Sequence, residues 1–542
     1  MTRAPRGRWL AAAAAGAASA VLAAGVGELA AALIAPESSP FAVIGGALID
    51  LAPPWAKDAA ISLFGTGDKV ALLTGIAIVL LIVAAAAGVL EARFPPWGLV
   101  VIGACGVAGA VVSMTRAGAG PISWVPSAAA GIVGVVALRL LVGLLGRGAA
   151  TATVAATVPV AAAGAAGDET DAPPAPAPAA SATDSRVERR RFFAWTGGVA
   201  AAGVLALVAA NLARTGTRVV TTVRDALRLP APTGVPAEIP PGADLRIPGL
   251  APVITPNDRF YRIDTALIVP QVDPADWSLR IRGMVDRELT LTWGDLLELP
   301  MHESATTLAC VSNEVGGELI GNAVWLGYPI RELLSRAGPH ADADMVLSRS
   351  IDGFTASTPL EALTDDRDAI LAIGMNGEPL PVEHGFPVRM VVPGLYGYVS
   401  ATKWVVELTV TRFDLERAYW TDRGWSERGP IKLQSRIDVP PRGQGLKAGD
   451  TVIAGVAWQQ HVGVAGVEVQ IDEGPWEQAT LAPAISDDTW VQWSLPWTAD
   501  IGGHVIRCRA ISTTGEVQTS EHAPPAPDGA TGWHERFVEV FE

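Results

Sequence analysis

Apolar residues crowd the first 213 positions of this chain and are spaced out among polar ones through the rest. Segments 9–34, 70–90, 98–114, 122–145 and 195–213 are each long and apolar enough for a helix to cross about 30 Å of hydrocarbon. Five spans are therefore expected. A sixth apolar stretch, 41–64, is broken by Pro53-Pro54 and by Lys57 and Asp58. It predicts an interfacial or re-entrant pair of short helices rather than a span.

Basic residues orient the spans. Arg3, Arg6 and Arg8 mark the N-terminus as cytoplasmic, and an odd number of crossings then carries the C-terminal part outward. Under that threading Arg93, Arg147, Arg186, Arg189, Arg190 and Arg191 fall inside, against Lys57, Lys69 and Arg116 in the outer loops. From Gly146 to about Asp184 runs a tract rich in Ala, Pro, Thr and Val, with only Ala and Pro from Ala172 to Ala180. It lacks the large apolar side chains that offset ordering entropy, which predicts a flexible linker. The tract leads to Arg189-Arg190-Arg191-Phe192-Phe193 ahead of the last span. This resembles a twin-arginine export signal, although arginines in that place also serve as plain membrane anchors.

Beyond the spans, Pro230, Pro232, Pro236, Pro240 and Pro241 suggest an extended connector over 214–235 and just past it. Alternation in Ser278–Gly283 and Glu288–Leu291 predicts strands, Trp293–Leu297 a short helix, and Gly327–Leu334 a helix start by its proline and apolar spacing. The region 236–415 is expected to be a mixed α+β domain. Residues 425–542 show strand patterns at Thr451–Trp458, Val464–Ile471 and His504–Ala510 between glycine turns, with many tryptophans to fill a small core. The whole is a multi-domain chain: a membrane bundle over 1–145, the linker over 146–194, a final span at 195–213, then the two globular regions.

Candidate chemistry centres on Cys310, within Leu308-Ala309-Cys310-Val311-Ser312-Asn313. A thiolate is a soft ligand suited to a sulfur-rich metal centre. With Gly353–Leu360, Met375-Asn376-Gly377-Glu378-Pro379-Leu380-Pro381, His384-Gly385-Phe386-Pro387-Val388-Arg389 and Val392-Pro393-Gly394 through Lys403-Trp404, this motif resembles the sulfite oxidase family of molybdenum-pterin enzymes. The resemblance implies a molybdenum–molybdopterin cofactor with Cys310 as metal ligand, and a position for Phe354 in the active site. It further implies cofactor contacts from Asn257, Phe260, Tyr261, Asn313, His384, Arg389, Gly394, Ser400, Thr402 and Lys403. It also implies that 425–542 is an immunoglobulin-like dimerisation domain, which would allow a homodimer, while the strand pattern by itself equally suits a generic binding sandwich.

Two departures bear on substrate. Phe354 stands where sulfite-oxidising members carry a tyrosine, and Asn313 is followed by Glu314-Val315-Gly316-Gly317, without the arginine those members have. An uncharged oxygen donor such as a sulfoxide then suits the pocket at least as well as sulfite. All seven histidines follow the last span and no Cys-x-x-Cys-His occurs, so no haem is expected and electrons must pass through a separate redox partner. Cys105 and Cys508 are expected to be packing residues. The net charge of −15 argues against nucleic acid. A transporter with a regulatory soluble part, or an adhesion or scaffold protein with a degenerate cofactor domain, are the alternative classes. The scarcity of intramembrane charges argues against the transporter.

Overall fold

The computed structural model describes residues 6–35, 38–52, 68–116, 119–154, 182–214, 218–233, 237–443 and 445–542. Its contacts divide the chain into two compact units, Met1–Thr217 and Arg218–Glu542.

The first unit is helical. Its helices are α1 (Arg6–Ile34), α2 (Pro40–Leu51), α3 (Asp68–Arg93), α4 (Trp97–Met114), α5 (Val125–Val154) and α6 (Ala182–Arg214). Five of them, all but α2, contain a stretch long and apolar enough to cross a bilayer. Small residues let their backbones meet, as lipid-facing helices require. Gly16 of α1 lies against Ala84 and Gly88 of α3, and Gly106 of α4 faces Gly131 of α5. Helix α2 occupies the start of the broken sixth stretch; its N-terminus is satisfied by Ser39 and by buried Glu28, which accepts from Ser39 Oγ at 2.8 Å and Phe41 N at 3.1 Å. The second short helix expected there falls at 53–67, outside the described residues, as does 155–181 of the expected linker. The ends of that linker are not loose: α5 runs on to Val154 and α6 starts at Ala182, because alanine and arginine favour helix even without apolar bulk. Cys105 lies on the exposed side of α4 rather than in its packing.

The second unit opens with α7 (Arg218–Ala226), where a proline-rich connector was expected. Val220 and Leu227 bury against Trp325, Ile370 and Leu380, and Arg224 donates to the carbonyls of Leu380 and Pro379, both at 2.9 Å. Strands β1 (Ser278–Gly283), β2 (Leu289–Thr292), β5 (Met345–Ser350), β6 (Thr355–Pro359) and β10 (Val405–Thr411) form one sheet in the order β2-β1-β10-β5-β6. The helix α8 (Trp293–Leu297) follows β2 with a capping box from Thr292 and Asp295. A second sheet, β3-β4-β7-β8, joins β3 (His302–Ala309), β4 (Ile320–Pro329), β7 (Ile370–Met375) and β8 (Glu378–Pro379), with β9 (Arg389–Val391) beside β7. Strand β4 extends through Pro329, so α9 (Ile330–Ala337) begins three residues later than its sequence pattern suggests. Two short helices, α10 (Glu361–Thr364) and α11 (Gly397–Ser400), complete this part.

The C-terminal part is β-rich. One sheet runs β11 (Gln434–Val439), β13 (Gly449–Trp458), β17 (Val491–Ala499), β16 (Thr480–Leu481); the other runs β12 (Leu446–Lys447), β19 (His534–Phe541), β18 (Gly502–Ser512), β14 (Val464–Ile471), β15 (Trp476–Gln478). Both contribute to one core that holds Ile437, Ile453, Trp493, Val467, Cys508 and Val538. Cys508 is fully buried, as expected of a packing residue, and accepts a hydrogen bond from Ser435 at 3.2 Å.

Candidate active site

Strand β3 is almost entirely buried from Ser304 onward and delivers Cys310 at its C-terminal end. The Cys310 amide donates to Leu319 O at 2.9 Å, and the Asn313 amide donates back to Cys310 O at 3.0 Å, which folds the chain sharply after the cysteine. Asn313 closes the same loop by accepting the Leu319 amide on its side-chain oxygen at 2.8 Å. It holds the loop in shape. Burial pushes the Cys310 thiol above its ordinary range, while hydrogen bonds from the backbone and side chain of Ser312 pull the other way.

Two cations and a neutral imidazole converge nearby. Arg389, on β9, is 5% exposed and donates to three carbonyl oxygens, of His384 at 3.1 Å, Met390 at 3.3 Å and Ala401 at 3.4 Å. Its guanidinium lies 5.0 Å from the Trp325 ring. Among the described residues no carboxylate pairs with it, and burial holds it down at about 10. Lys403 differs: it has Asp264 at 2.7 Å, donates to Glu383 O at 3.0 Å, and is brought down to about 8 by burial, against the pull of Asp264. His384 is buried and pushed down to about 3, first by burial and then by Arg389 and Lys403, so it is a neutral ring. Its Nε2 lies 3.2 Å from Asn257 O.

Tyr261 links these groups to the cysteine. Its hydroxyl is driven well above the usual range by burial, then by Cys310, with Arg389 opposing. A Cβ on Gly397 would stand 3.7 Å from Ala309 O and 4.0 Å from the Tyr261 hydroxyl, so the backbone of α11 closes on the same spot. Phe260 stacks on Tyr261 at 5.3 Å and meets Trp325 and His384 edge-on.

The remaining expected residues have other tasks. Asn257 is engaged by Asn376 Nδ2 at 2.8 Å and donates to Met375 O at 3.2 Å. Ser400 bonds Tyr396 O at 2.9 Å within α11, and Thr402 shares a 2.7 Å hydrogen bond with Ser348. They build the wall. Gly394 has φ +83°, and a Cβ there would meet His461 at 2.8 Å and Arg367 at 3.3 Å, so its bare backbone makes room for these side chains. Phe354, at the β5–β6 turn, is half-buried with its ring 5.8 Å from Tyr419. Sequence reasoning missed Tyr396, whose hydroxyl is held up at about 12 by burial and by the charge of Cys310, and Asp264, the partner of Lys403. Neither stands out because each is a lone residue whose neighbours here are remote in the chain.

An anionic, sulfur-rich group fits this constellation: a soft thiol at a strand end, a buried guanidinium with carbonyls but no carboxylate, and a neutral imidazole. The family model described as an oxidoreductase molybdopterin binding domain matches residues 266–420. Sulfite oxidase of Gallus gallus is 29% identical over 322 residues, covering 50% of this chain and 69% of its own. Mitochondrial sulfite oxidase of Mus musculus is 32% identical over 342 residues, covering 53% of this chain and 62% of its own. This chain spans less than two thirds of that mouse relative's length. Among solved structures, the sulfane dehydrogenase SoxCD from Paracoccus pantotrophus has 25% identity and a TM-score of 0.47, covering 53% of this chain and 81% of that one. The uncharacterized oxidoreductase YuiH of Bacillus subtilis is 33% identical over 157 residues, covering 29% of this chain and 76% of its own. With that identity carried across most of a relative, and the matched segment holding Cys310, His384, Arg389 and Lys403, the chain belongs to the sulfite oxidase family of molybdopterin oxidoreductases.

Proposed function

We propose that the chain is a membrane-anchored molybdenum-cofactor oxidoreductase that transfers oxygen atoms on the outer face of a membrane. Arg389 carries the reading. Buried, with carbonyls and a ring but no carboxylate about it, Arg389 keeps a net positive charge that an arriving anion would neutralise. A degenerate cofactor domain in a scaffold or a transporter would have no reason to retain it.

In this reading Cys310 is the protein's sulfur ligand to molybdenum, and Arg389, Tyr261 and His384 hold the pterin with Lys403 behind them. The bound cofactor supplies the two-electron exchange that accompanies oxygen transfer. Arg389 supplies fixed positive charge, and His384, neutral at about 3, contributes hydrogen bonding without a charge of its own. Buried Phe260 and Trp325, with partly buried Tyr261 packed against them, keep water from these groups. Phe354 brings no hydroxyl and residues 314–317 bring no arginine, so the substrate is an uncharged oxygen donor or acceptor of sulfoxide type rather than a small oxyanion.

The five apolar helices form the anchor, and the arginine balance puts residues 218–542 outside, exported in folded form through Arg189-Arg190. The two facing C-terminal sheets act as an immunoglobulin-like module that pairs two copies of the chain. A separate redox protein exchanges electrons with the site. Molybdenum and pterin per chain, measured on protein from a cofactor-making host, test the core of this proposal; a ratio near zero sinks it. External protease on cells expressing Arg189→Lys with Arg190→Lys tests the route: continued access to the catalytic part would leave the arginines as anchors only.

A further inference from the structure

The strand that delivers Cys310 is the outermost of its sheet, and its free edge is taken up by the C-terminal part of the unit. Three residues before the cysteine, the Thr307 amide donates to Asp488 O at 3.0 Å and Thr307 O accepts from Gln460 Nε2 at 3.0 Å. The Thr307 hydroxyl accepts the Trp490 amide at 2.8 Å and donates to Asn322 at 2.9 Å. Gln460 is 2% exposed.

The loop after the cysteine is held from the same side. Arg436 of β11 donates from Nη1 to Gly317 O at 2.8 Å, while its Nε pairs with Asp438 at 2.7 Å. Arg436 is 7% exposed, so this bond is shielded from water. Gly316 has φ +76°, and a Cβ there would collide with the His534 ring. That ring is itself fixed, accepting the Ile437 amide on Nδ1 at 2.9 Å. Between the two points of attachment lie Cys310, Ser312 and Asn313, the last closing the loop onto Leu319 just beyond.

We propose that the C-terminal part is a two-point clamp on the segment carrying Cys310, with Gln460 and Arg436 as positioning residues that act through Thr307 and Gly317. The inference rests on the reading of Cys310 as the metal ligand. A dimerising module would need no hydrogen bonds to this strand. Apolar packing is present as well, with Val456, Trp458 and Trp490 of the C-terminal part sharing a core with Val311 and Leu395, but packing alone does not require directed hydrogen bonds to the backbone on both flanks of one residue.

The test uses the full chain, purified in detergent from a host that makes no pterin. Iodoacetamide labelling of Cys310 is followed by peptide mass spectrometry, which separates it from Cys105 and Cys508, alongside amide exchange of residues 311–319. Arg436→Gln and Gln460→Met are each expected to speed Cys310 labelling and local exchange about tenfold, the effect of one lost hydrogen bond. Arg436→Lys, which keeps a charged donor, should recover most of the slow rate. In cofactor-loaded protein the same two variants should shift the spectroscopic signature of the metal centre. Arg507→Gln, which breaks the Arg507–Glu535 pair on the other sheet, should leave Cys310 labelling unchanged.

Unchanged rates in both variants would overturn the clamp. So would exchange that rises evenly over 434–541, the mark of plain destabilisation. If Arg436→Gln does not fold, Gln460→Met decides alone. Because labelling and exchange are read on cofactor-free protein, they fail or succeed independently of whether Cys310 binds the metal.

Discussion

Replacing Arg389 with methionine should have opposite consequences in the empty and the loaded protein. Burial holds the guanidinium at about 10 against an ordinary 12.5. At pH 7 the group is charged both folded and unfolded, so the native state bears the whole penalty, on the order of 3 kcal/mol. Methionine removes that cost. It also removes the donor to three carbonyls at 3.1–3.4 Å, long bonds that contribute about 0.5–1 kcal/mol each, and a cation–π contact of about 1 kcal/mol with Trp325. The terms nearly cancel. Cofactor-free Arg389→Met is therefore expected to melt within a few degrees of wild type, read by tryptophan fluorescence. In the loaded protein each lost charge-assisted bond weakens anion binding by about 1.5–3 kcal/mol, so cofactor retention should fall by one to two orders of magnitude per bond. Molybdenum per chain after gel filtration measures it. A variant that keeps its molybdenum yet melts far below wild type when empty would show that Arg389 is structural and would refute the argument.

Cys310→Ser exchanges a soft sulfur for a hard oxygen, so activity and the metal's spectroscopic signature should vanish while the circular dichroism of the cofactor-free chain stays as it was; wild-type turnover would sink the ligand assignment. Phe354→Tyr restores one donor of the two that sulfite-oxidising members use, so sulfite turnover with an artificial electron acceptor should rise but stay below sulfoxide reduction. Fast sulfite oxidation by the unmodified protein would reverse that view of the pocket. Acid should destabilise the second unit through its buried neutral histidines. His384 and His534 are held by burial at about 3 and about 4, below the ordinary 6.5. Their contribution is present above pH 6.5 and is lost as pH falls toward 4, by up to about 1.4 kcal/mol per pH unit for each. Urea midpoints of the wild type and His534→Gln from pH 7 to 4.5 check this. The variant's curve should be the flatter, and parallel curves would contradict the assignment.

What could be read from the chain alone divides by distance. Strands β1, β2, β13, β14 and β18 follow from two-residue alternation, and the five long helices from apolar length, because each pattern is local. Helix α7 was hidden by the prolines that follow it: Val220, and Leu227 just past its end, make sense only against Trp325 and Leu380, remote in the chain. Gly394 reads from the sequence as a place of close approach or a turn, and which atoms approach, His461 Cβ, Arg367 Nη1 and Gln460 O, only the fold shows. A motif states that a residue matters and leaves unsaid what lies across from it.

The same limit explains why Cys310 was visible and its supports were not. Cys310, His384 and Arg389 sit in dense runs whose glycines and prolines punctuate tight turns, and such runs are recognisable without coordinates. Arg436, Gln460 and His534 sit in ordinary alternating strands or turns of the C-terminal part, where an arginine or glutamine is commonplace. Their meaning comes from Gly317, Thr307 and Gly316, and those partners are mostly backbone atoms, which leave no side-chain signature. A strand at a sheet edge must find hydrogen bonds from somewhere when it is buried. Once β3 is seen to be both buried and outermost, some other part of the chain is obliged to pair with it, and the part that does so also reaches the loop beyond the cysteine. The position of the proposed metal ligand is thus set by residues that complete their fold only at β19, so a cysteine with the correct neighbours in sequence still depends on the last strand of the chain for its place.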